Sequence, residues 1–259
     1  MRPLAAITGA SAGLGVEFAR QIAARGYDLL LIARRLDRLE SLSAELTRQY
    51  SITAHAVAAD LTSEEGLALV EERLDSVDLL VNNAGFGTLG KFANSTIESQ
   101  VEMHRLHVMA TLRLSHRALR GMIERNRGGI INVSSVAGFW QAPGSISYCA
   151  TKHWINSFTE GLALELRSSG SAVHVQALCP GYTITEFHQS MGWDRSHIPS
   201  WLWMQAAEVV AASLDGLDRG KLFVIPGWKY KLAVMFMEWT PRSILHRLAA
   251  GQQRALKRA

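Results

Sequence analysis

The sequence predicts an α/β fold, in which one open, doubly wound parallel sheet of about seven strands carries helices on both faces. Short and almost continuously apolar runs alternate with longer segments of helical periodicity as far as residue 226. Strands that are buried on both faces have this continuous apolar character. Because neither a Pro/Ser-rich linker nor an internal repeat interrupts the alternation, we expect a single domain built from right-handed crossovers.

The predicted elements follow one another in a regular order. The strands are Leu4–Thr8, Leu29–Ala33, Ala54–Ala58, Leu79–Asn82, Ile130–Ser134, Val173–Leu178 and Leu222–Ile225. The helical segments between them are Gly13–Arg25, Arg38–Tyr50, Glu64–Leu74, Ile97–Arg120 and Trp154–Ser168, the last within a helix that begins near Ser147.

The composition excludes several classes of protein. Of the 259 residues, 48% are hydrophobic and 19% are charged, which is incompatible with a disordered, collagen-like or low-complexity chain. The net charge of +4 is small and forms no dense basic stripe, so we expect no binding to nucleic acid. There are only two cysteines, Cys149 and Cys179, which disfavours both a disulfide framework and a cysteine zinc site.

Export and membrane-spanning segments are not expected either. Met1–Leu4 runs directly into the first apolar strand and a glycine turn, which leaves no space for a signal peptide. The longest apolar runs, Asp28–Ala33 and Leu232–Met237, are far too short to cross a bilayer. The sequence therefore predicts a cytoplasmic protein.

A glycine-rich turn closes the first predicted strand. It reads Thr8-Gly9-Ala10-Ser11-Ala12-Gly13-Leu14-Gly15 and leads directly into the first helix. Glycines in this place allow a tight turn and let backbone N–H groups approach a pyrophosphate at the helix N-terminus. Because the turn stands where strand passes into helix, it indicates a dinucleotide site rather than a turn without a ligand.

Further motifs accumulate along the chain in a fixed order. Asp60-Leu61 follows the third strand, Asn82-Asn83-Ala84-Gly85 follows the fourth, Ser135, Tyr148 and Lys152 have the spacing S-x12-Y-x3-K, and Pro180-Gly181 precedes Thr183 and Thr185. Together with the T-G-x-x-x-G-x-G spacing of the glycine turn, this set resembles the short-chain dehydrogenase/reductase family over about residues 1–225. The resemblance implies a Rossmann-like fold. It also implies an oxidoreductase that moves hydride between a nicotinamide and a carbonyl or alcohol carbon of a small-molecule substrate.

The resemblance also implies which residues bind the cofactor. Asp60 is expected to contact the adenine, and the turn after Cys179 is expected to lie beside the nicotinamide. The full set is Gly9, Ser11, Gly13, Leu14, Gly15, Asp60, Leu61, Asn83, Ala84, Gly85, Tyr148, Lys152, Pro180, Gly181, Thr183 and Thr185.

The end of the second strand indicates which nicotinamide cofactor is used. An acidic side chain there would bind the adenosine ribose of NAD(H), whereas an arginine suits the 2′-phosphate of NADP(H). The chain reads Ala33-Arg34-Arg35, so we predict NADP(H) in preference to NAD(H), with Arg34 as the main contact and Arg35 beside it. Two solvated arginines at a helix start are the alternative. The family's other frequent basic residue is absent from the glycine turn, where Ala12 stands.

Ser135, Tyr148 and Lys152 are the predicted catalytic residues. Tyr148 and Lys152 are four residues apart and so share one face of a helix. A neighbouring ammonium should lower the pKa of a phenol toward the range that is useful for acid/base catalysis. By the resemblance, Tyr148 is the acid/base, Ser135 positions the substrate oxygen, and Lys152 tunes Tyr148 and binds the ribose.

One position departs from the family pattern. Where the family commonly has an asparagine that supports a proton-relaying water, this chain has His107. His107 is therefore a fourth candidate catalytic residue, because a neutral imidazole can donate and accept hydrogen bonds. A hydrogen-bonded core histidine is the other interpretation. A metal site formed by His104, His107 and His116 is disfavoured, because neither an acid nor a cysteine accompanies them.

Two segments interrupt the alternation of strands and helices. Residues 183–204 carry Trp193, Trp201 and Trp203 and follow the sixth strand, which places them at the ligand-binding edge of the sheet. They are predicted to be a lid over a lipophilic substrate, or else packing or an oligomer contact. Residues 228–259 form an aromatic and basic tail, which we expect to pack on the domain formed by residues 1–227. Contact with an anionic membrane surface is the less favoured alternative.

Taken together, these patterns predict an NADP(H)-dependent oxidoreductase with a Ser-Tyr-Lys catalytic set. A dinucleotide-binding sensor or scaffold with little turnover is the alternative, which the departure at His107 encourages. The resemblance also implies a homodimer or homotetramer through the long helices near residues 97–121 and 147–168.

Overall fold

A parallel sheet forms the centre of the molecule. The computed structural model describes residues 2–186, 198–245 and 247. The strands of the main sheet are β1 (Leu4–Thr8), β2 (Asp28–Ala33), β3 (Ala54–Ala58), β4 (Leu79–Asn82), β5 (Gly129–Val133), β6 (His174–Leu178) and β9 (Phe223–Val224). They pair in the order β3-β2-β1-β4-β5-β6-β9. A separate short parallel pair consists of β7 (Thr183–Ile184) and β8 (Met204–Gln205).

Helices cover both faces of this sheet. They are α1 (Gly13–Ala24), α2 (Leu36–Tyr50), α3 (Glu64–Glu71), α4 (Ile97–His104), α5 (Thr111–Glu124), α6 (Ile146–Ser168), α7 (Ala206–Asp218) and α8 (Trp228–Trp239). One core contains buried residues of α1, α2 and α7, such as Phe18, Leu39 and Val210. The other contains residues of α3 and α5, such as Leu67 and Leu114. The predicted fold class, a doubly wound Rossmann-like sheet of seven strands, is confirmed.

The strand order places a ligand-binding crevice at the middle of the sheet. β1 pairs with β2 on one side, where Ile7 lies opposite Leu31, and with β4 on the other, where Ile7 lies opposite Val81. Because the strand order reverses between β1 and β4, the loops at their carboxyl ends diverge and leave space for a ligand. Every residue of β4 and β5 is buried, which explains why these strands are continuously apolar apart from Asn82 and Asn132.

The predicted helix Ile97–Arg120 differs from the structure in one respect. The helical stretch continues to Glu124, and its middle, Arg105–Ala110, forms a π-helical turn between α4 and α5. A π-helical turn widens the helix by one residue and is found frequently at functional sites. Here it contains His107, whose ring is buried. The hydrophobic period alone does not indicate such a turn, because the residues on either side remain helical.

The segments predicted to form a lid and a tail are described only in part. Residues 187–197 of the lid, which include Trp193, lie outside the described residues, as do residues 248–259 of the tail. The described part of the tail begins with α8, whose Tyr230 and Val234 are buried. Among the described residues, no helix is long and apolar enough to cross a membrane.

Candidate active site

The glycine turn is held against the loop that follows β4. The hydroxyl of Thr8 accepts hydrogen bonds from the backbone N–H groups of Asn83 (2.9 Å) and Ala84 (3.0 Å). The Asn83 side chain donates in return to the backbone oxygen of Thr8, at 2.8 Å. Gly9 has a φ of +67°, and a Cβ there would lie 2.8 Å from Nδ2 of Asn83. A side chain at residue 9 would therefore be strained and would also push the two loops apart.

The start of α1 is suited to an anion. The helix has no side-chain cap and no acidic residue in its first turn. Its first backbone N–H groups are therefore left for a bound group, and the helix dipole favours a negative one. The turn and the helix start thus fit the pyrophosphate of a dinucleotide. Leu14 packs against the hydrophobic core, so only its backbone is suited to contact that group.

The adenosine end of the proposed site lies beyond β3. Oδ1 of Asp60 accepts hydrogen bonds from the backbone N–H (2.9 Å) and the hydroxyl (2.8 Å) of Thr62. Burial would raise the pKa of Asp60, but these hydrogen bonds and the charge of Arg34 together lower it. Asp60 is therefore an ionised acceptor close to Arg34. Leu61 is buried in the core, so its side chain faces away from a ligand.

Arg35 contacts the glycine turn directly. Its guanidinium donates to the hydroxyl of Ser11 from Nη2 (3.1 Å) and to the Ser11 backbone oxygen (3.3 Å). Arg38, one turn further along the chain, donates to the carboxylate of Glu186 at 3.0 Å, and Arg35 lies 3.8 Å from the same carboxylate. Arg38 and Glu186 are site residues that the sequence does not predict, because nothing in the spacing of residue 186 indicates that it returns to α2.

Tyr230 of α8 holds the Pro180-Gly181 turn in place. The hydroxyl of Thr183 donates to the backbone oxygen of Gly181 at 3.1 Å. The Tyr230 ring packs directly on Gly181. The Tyr230 hydroxyl accepts from the N–H of Tyr182 (3.0 Å) and donates to the backbone oxygen of Leu202 (2.6 Å). Tyr230 of α8 thus fixes both the turn and the end of the segment predicted to be a lid, a role that its sequence position does not suggest.

Thr185 connects the segment after Pro180-Gly181 to the glycine turn. A Cβ at Gly13 would lie 3.1 Å from Cβ of Thr185. The segment that contains Thr183 and Thr185 therefore passes over the glycine turn. The structure brings together the predicted cofactor residues from β1, β4 and β6 at one edge of the sheet.

Ser135, Tyr148 and Lys152 converge where β5 meets α6. Ser135 stands two residues after β5, and its hydroxyl accepts from the N–H of Ala137 at 3.1 Å. It also forms a side-chain hydrogen bond with Tyr148. Nζ of Lys152 donates to the backbone oxygen of Val133 at 2.8 Å and lies 5.6 Å from the centre of the Tyr148 ring. The two hydroxyl groups therefore face the same point, with a buried ammonium behind the ring.

Burial dominates the pKa values of the Tyr148–Lys152 pair. It raises the pKa of Tyr148 to about 12, against the opposite effect of the hydrogen bond with Ser135. It lowers the pKa of Lys152 to about 8, because a buried ammonium is poorly solvated. The pKa of Tyr148 is therefore raised and not lowered as expected, because burial outweighs the effect of the neighbouring ammonium. The ammonium bonds to the backbone of Val133 instead of to the phenol.

His107 uses both of its ring nitrogens within the protein. Nε2 accepts from the N–H of Phe86 at 3.2 Å, so the proton of the neutral ring is on Nδ1. Nδ1 is 2.9 Å from the hydroxyl of Thr151, which donates in turn to the backbone oxygen of Tyr148. Burial, with the charge of Lys152, holds the pKa of His107 well below its ordinary value.

These contacts favour the interpretation of His107 as a hydrogen-bonded core histidine over a proton relay. The ring connects the loop after Gly85 to the helix that carries Tyr148. It also fills the space beside Gly85, where a Cβ would lie 2.8 Å from Nε2. His104 and His116 are at the surface. Among the residues that the structure describes, no three His, Cys, Asp or Glu side chains are grouped to hold a metal ion.

A buried polar network supports the strands beneath the site. Nδ2 of Asn82 donates to the hydroxyl of Ser115 and to Oδ1 of Asn132, both at 2.9 Å. The Asn132 amide donates to the hydroxyl of Thr159 at 3.0 Å. The network fixes β4 and β5 to α5 and α6. A polar residue within an otherwise apolar strand is the sequence signal that could have found Asn132.

Comparison with known proteins identifies the family. The family model for short chain dehydrogenase matches residues 3–195, a range that contains the glycine turn, the three convergent side chains and the Pro180-Gly181 turn. The chain belongs to the short-chain dehydrogenase/reductase family. It is accordingly an oxidoreductase that acts on carbonyl or alcohol groups.

Individual relatives match over most of the chain. The 3-oxoacyl-[acyl-carrier-protein] reductase of Aquifex aeolicus is 31% identical over 184 residues, which are 70% of this chain and 73% of that protein. A short-chain dehydrogenase from Sphingobium yanoikuyae in complex with NADPH has a TM-score of 0.81 at 35% identity, covering 98% of this chain and 95% of that one. The bulky-bulky ketone specific alcohol dehydrogenase from Comamonas testosteroni has a TM-score of 0.76 at 31% identity, covering 99% and 94%. Structures of the family hold either NADPH or NAD.

Proposed function

We propose that this protein is an NADP(H)-dependent reductase of a lipophilic ketone or aldehyde. The observation that carries the proposal is the convergence of Ser135, Tyr148 and Lys152 on one point at the end of β5. A protein that only binds a dinucleotide does not need two hydroxyl groups and a buried ammonium at this point. The residues of the turn fit the dinucleotide, because α1 begins without a side-chain cap and Gly9 adopts the left-handed backbone that allows a tight turn.

Each side chain of the site has a separate role in carbonyl reduction. When bound, the nicotinamide supplies the hydride that the carbonyl carbon accepts. Tyr148 holds its proton throughout the neutral range, because its pKa is about 12, and gives that proton to the carbonyl oxygen as the oxygen becomes negative. Ser135 donates a hydrogen bond to the same oxygen and orients it. The charge of Lys152 stabilises the phenolate that forms when the proton leaves.

The arginines after β2 support NADP(H) as the cofactor. Arg35 and Arg38 already hold one anion, the carboxylate of Glu186, and guanidinium groups bind phosphate oxygens in the same way. Arg35 also bonds to Ser11 of the glycine turn, and Arg34 lies near Asp60. We assign the 2′-phosphate to this cluster, with Arg35 nearer to the turn and Arg34 on the adenine side. Glu186 then competes with the phosphate for Arg35 and Arg38.

The substrate side supports a lipophilic carbonyl compound. The Tyr182 and Trp203 rings are in contact, with 5.5 Å between their centres, at the carboxyl edge where substrates bind in this fold. Two relatives act on acyl chains or on bulky ketones, by their names. Apolar aromatic surface at this edge favours substrates of that kind.

We also propose a homodimer or homotetramer and a cytoplasmic location. Apolar side chains are exposed along α4, the π-helical turn, α5 and α6, namely Val101, Met109, Leu112 and Leu164. An exposed apolar stripe on these helices is suited to pair with a second copy of the chain.

The experiment that tests the proposed function is a panel of bulky ketones and aldehydes with NADPH or NADH, followed by the loss of reduced-nicotinamide absorbance. We expect turnover with NADPH and at least roughly tenfold lower kcat/KM with NADH. The alternative is a sensor or scaffold, which binds NADPH tightly and turns over no substrate in the panel.

A further inference from the structure

Helix α8 has two apolar faces, and only one of them is buried against the part of the protein that the structure describes. Tyr230 and Val234 are buried against the domain. The opposite face consists of five large apolar side chains that are all at least half exposed, from Leu232 at 50% to Trp239 at 86%. These residues, which we call the α8 stripe, are Trp228, Leu232, Met235, Phe236 and Trp239. At 3.6 residues per turn they fall within an arc of about 100°.

The α8 stripe is flanked by positive charge. Lys229 and Lys231 lie at its two edges on the helical wheel, about 20° and 40° beyond the outermost apolar positions. Lys231 is exposed. Nζ of Lys229 lies 4.6 Å from the centre of the Trp201 ring, and Trp201 is itself 60% exposed. The apolar surface therefore continues from the helix onto the end of the lid segment. Glu238, on the same edge as Lys231, is the acidic residue of the helix.

The distribution of charge along the chain is uneven. Residues 228–259 contain seven Lys and Arg and one Glu, a net charge of +6, whereas the whole chain has a net charge of +4. The preceding 227 residues are therefore slightly acidic. Positive charge is concentrated in the part of the sequence that begins with the α8 stripe.

We propose that the α8 stripe binds the surface of a membrane that contains anionic lipids. Tryptophans at both ends of the stripe are suited to the headgroup region, where amphipathic rings collect. Lysines at the edges of an apolar face pair with anionic headgroups while that face enters the acyl boundary. The helix lies along the surface and does not cross the bilayer, since the stripe is only about 16 Å long.

The charge also argues against a second copy of the chain on this face. Two α8 stripes brought together would place Lys229 and Lys231 of both copies at one interface, where like charges repel. An anionic lipid surface neutralises the same charges. Contact there would bring the lid segment around Trp201 next to the lipid phase, from which a lipophilic substrate enters. The binding itself does not depend on the proposed reductase activity.

Sedimentation with vesicles tests this proposal on the full chain. The wild-type protein should pellet with vesicles of phosphatidylglycerol and phosphatidylcholine, pellet much less with phosphatidylcholine alone, and be released by high salt. The double variant Leu232→Ser/Phe236→Ser should lower the partition coefficient by at least roughly tenfold. Lys231→Glu should lower it by roughly tenfold or more.

Two matched variants serve as controls. Ile123→Ser removes an exposed apolar side chain of α5, and Arg48→Glu reverses an exposed charge of α2; neither should alter binding. The thermal unfolding midpoint and the NADPH affinity of each variant establish that it is folded. No sedimentation of the wild-type protein at low salt overturns the proposal. So does binding that the double variant leaves intact, and so does a double variant that dissociates an oligomer formed without vesicles.

Discussion

The two halves of the ligand-binding edge are built in different ways. On the cofactor side, backbone groups and short side chains make the contacts, as where the Thr8 hydroxyl accepts from the N–H groups of Asn83 and Ala84. On the substrate side, one long side chain, Tyr230, connects segments that are 48 and 28 residues away in sequence. The first half is therefore held together by contacts between the ends of the neighbouring strands β1 and β4, whereas the second depends on the docking of helix α8.

Substituting the proposed proton donor should have the largest effect. Tyr148→Phe should lower kcat for ketone reduction by roughly 10²- to 10⁴-fold, because the aliphatic hydroxyl of Ser135 is too weak an acid to replace the phenol as proton donor. The Kd for NADPH, measured by fluorescence titration, should change little. The control is Tyr27→Phe, next to the amino end of β2. Unchanged kcat in Tyr148→Phe would remove Tyr148 from the mechanism.

Substituting Arg35 should have the next largest effect. That effect should be confined to the binding of NADPH. Arg35→Ala should raise the Kd for NADPH by about tenfold to a hundredfold, since a charge-assisted contact with the phosphate is lost. The Kd for NADH should stay within a factor of about three. Arg48→Ala, at the last turn of the same helix, is the control.

Glu186→Gln should lower the Kd for NADPH, because it removes the carboxylate that competes with the phosphate for Arg35 and Arg38. Equal changes in both Kd values for Arg35→Ala would refute recognition of the phosphate by this cluster.

The rate of reduction should depend on pH through Lys152. Its pKa is about 8, so the ammonium loses its proton as the pH rises through that value, and the phenolate of Tyr148 loses its stabilising charge. We therefore expect kcat/KM for reduction to be level below the pKa and to fall by about tenfold per pH unit above it. Tyr148, with a pKa of about 12, stays protonated over this range.

The measurement is a profile of kcat/KM from pH 6 to about pH 10. Lys152→Arg should remove the fall, since a guanidinium keeps its charge there. A level wild-type profile through pH 10 would contradict the role of the Lys152 charge.

We expect the smallest effect from a substitution on the substrate side. Tyr230→Phe keeps the ring on Gly181 but leaves the N–H of Tyr182 and the backbone oxygen of Leu202 without their partner. We expect a loss of about 1–3 kcal/mol in the free energy of unfolding and a rise of several-fold in KM for the ketone, with the Kd for NADPH unchanged. Denaturant unfolding and steady-state kinetics measure these. A larger effect on cofactor affinity than on KM would mean that the two halves are not independent.

Local motifs explain why much of the cofactor side could be predicted. The glycine turn, the loop after β4 and the spacing of Ser135, Tyr148 and Lys152 are all read within short stretches, and the alternation of strands and helices gave the fold class. The π-helical turn around His107 could not be predicted, because the residues on either side of it remain helical and its contact with Phe86 comes from another loop. The same holds for the pairing of Glu186 with Arg38 and for Tyr230, whose partners are set by tertiary packing. The raised pKa of Tyr148 follows from burial, which spacing alone does not reveal.

Hydride transfer itself can be observed with NADPH that carries two deuterium atoms at C4 of the nicotinamide, so that the label is transferred from either face. Mixed with a bulky ketone that the protein turns over, the wild-type protein should place deuterium on the carbinol carbon of the alcohol product, seen by mass spectrometry or NMR. Tyr148→Phe, with NADPH bound to the same extent, should yield roughly 10²- to 10⁴-fold less labelled product per unit time. Tight NADPH binding by the wild-type protein with no label in any carbonyl compound of the panel would contradict a reductase and favour a sensor.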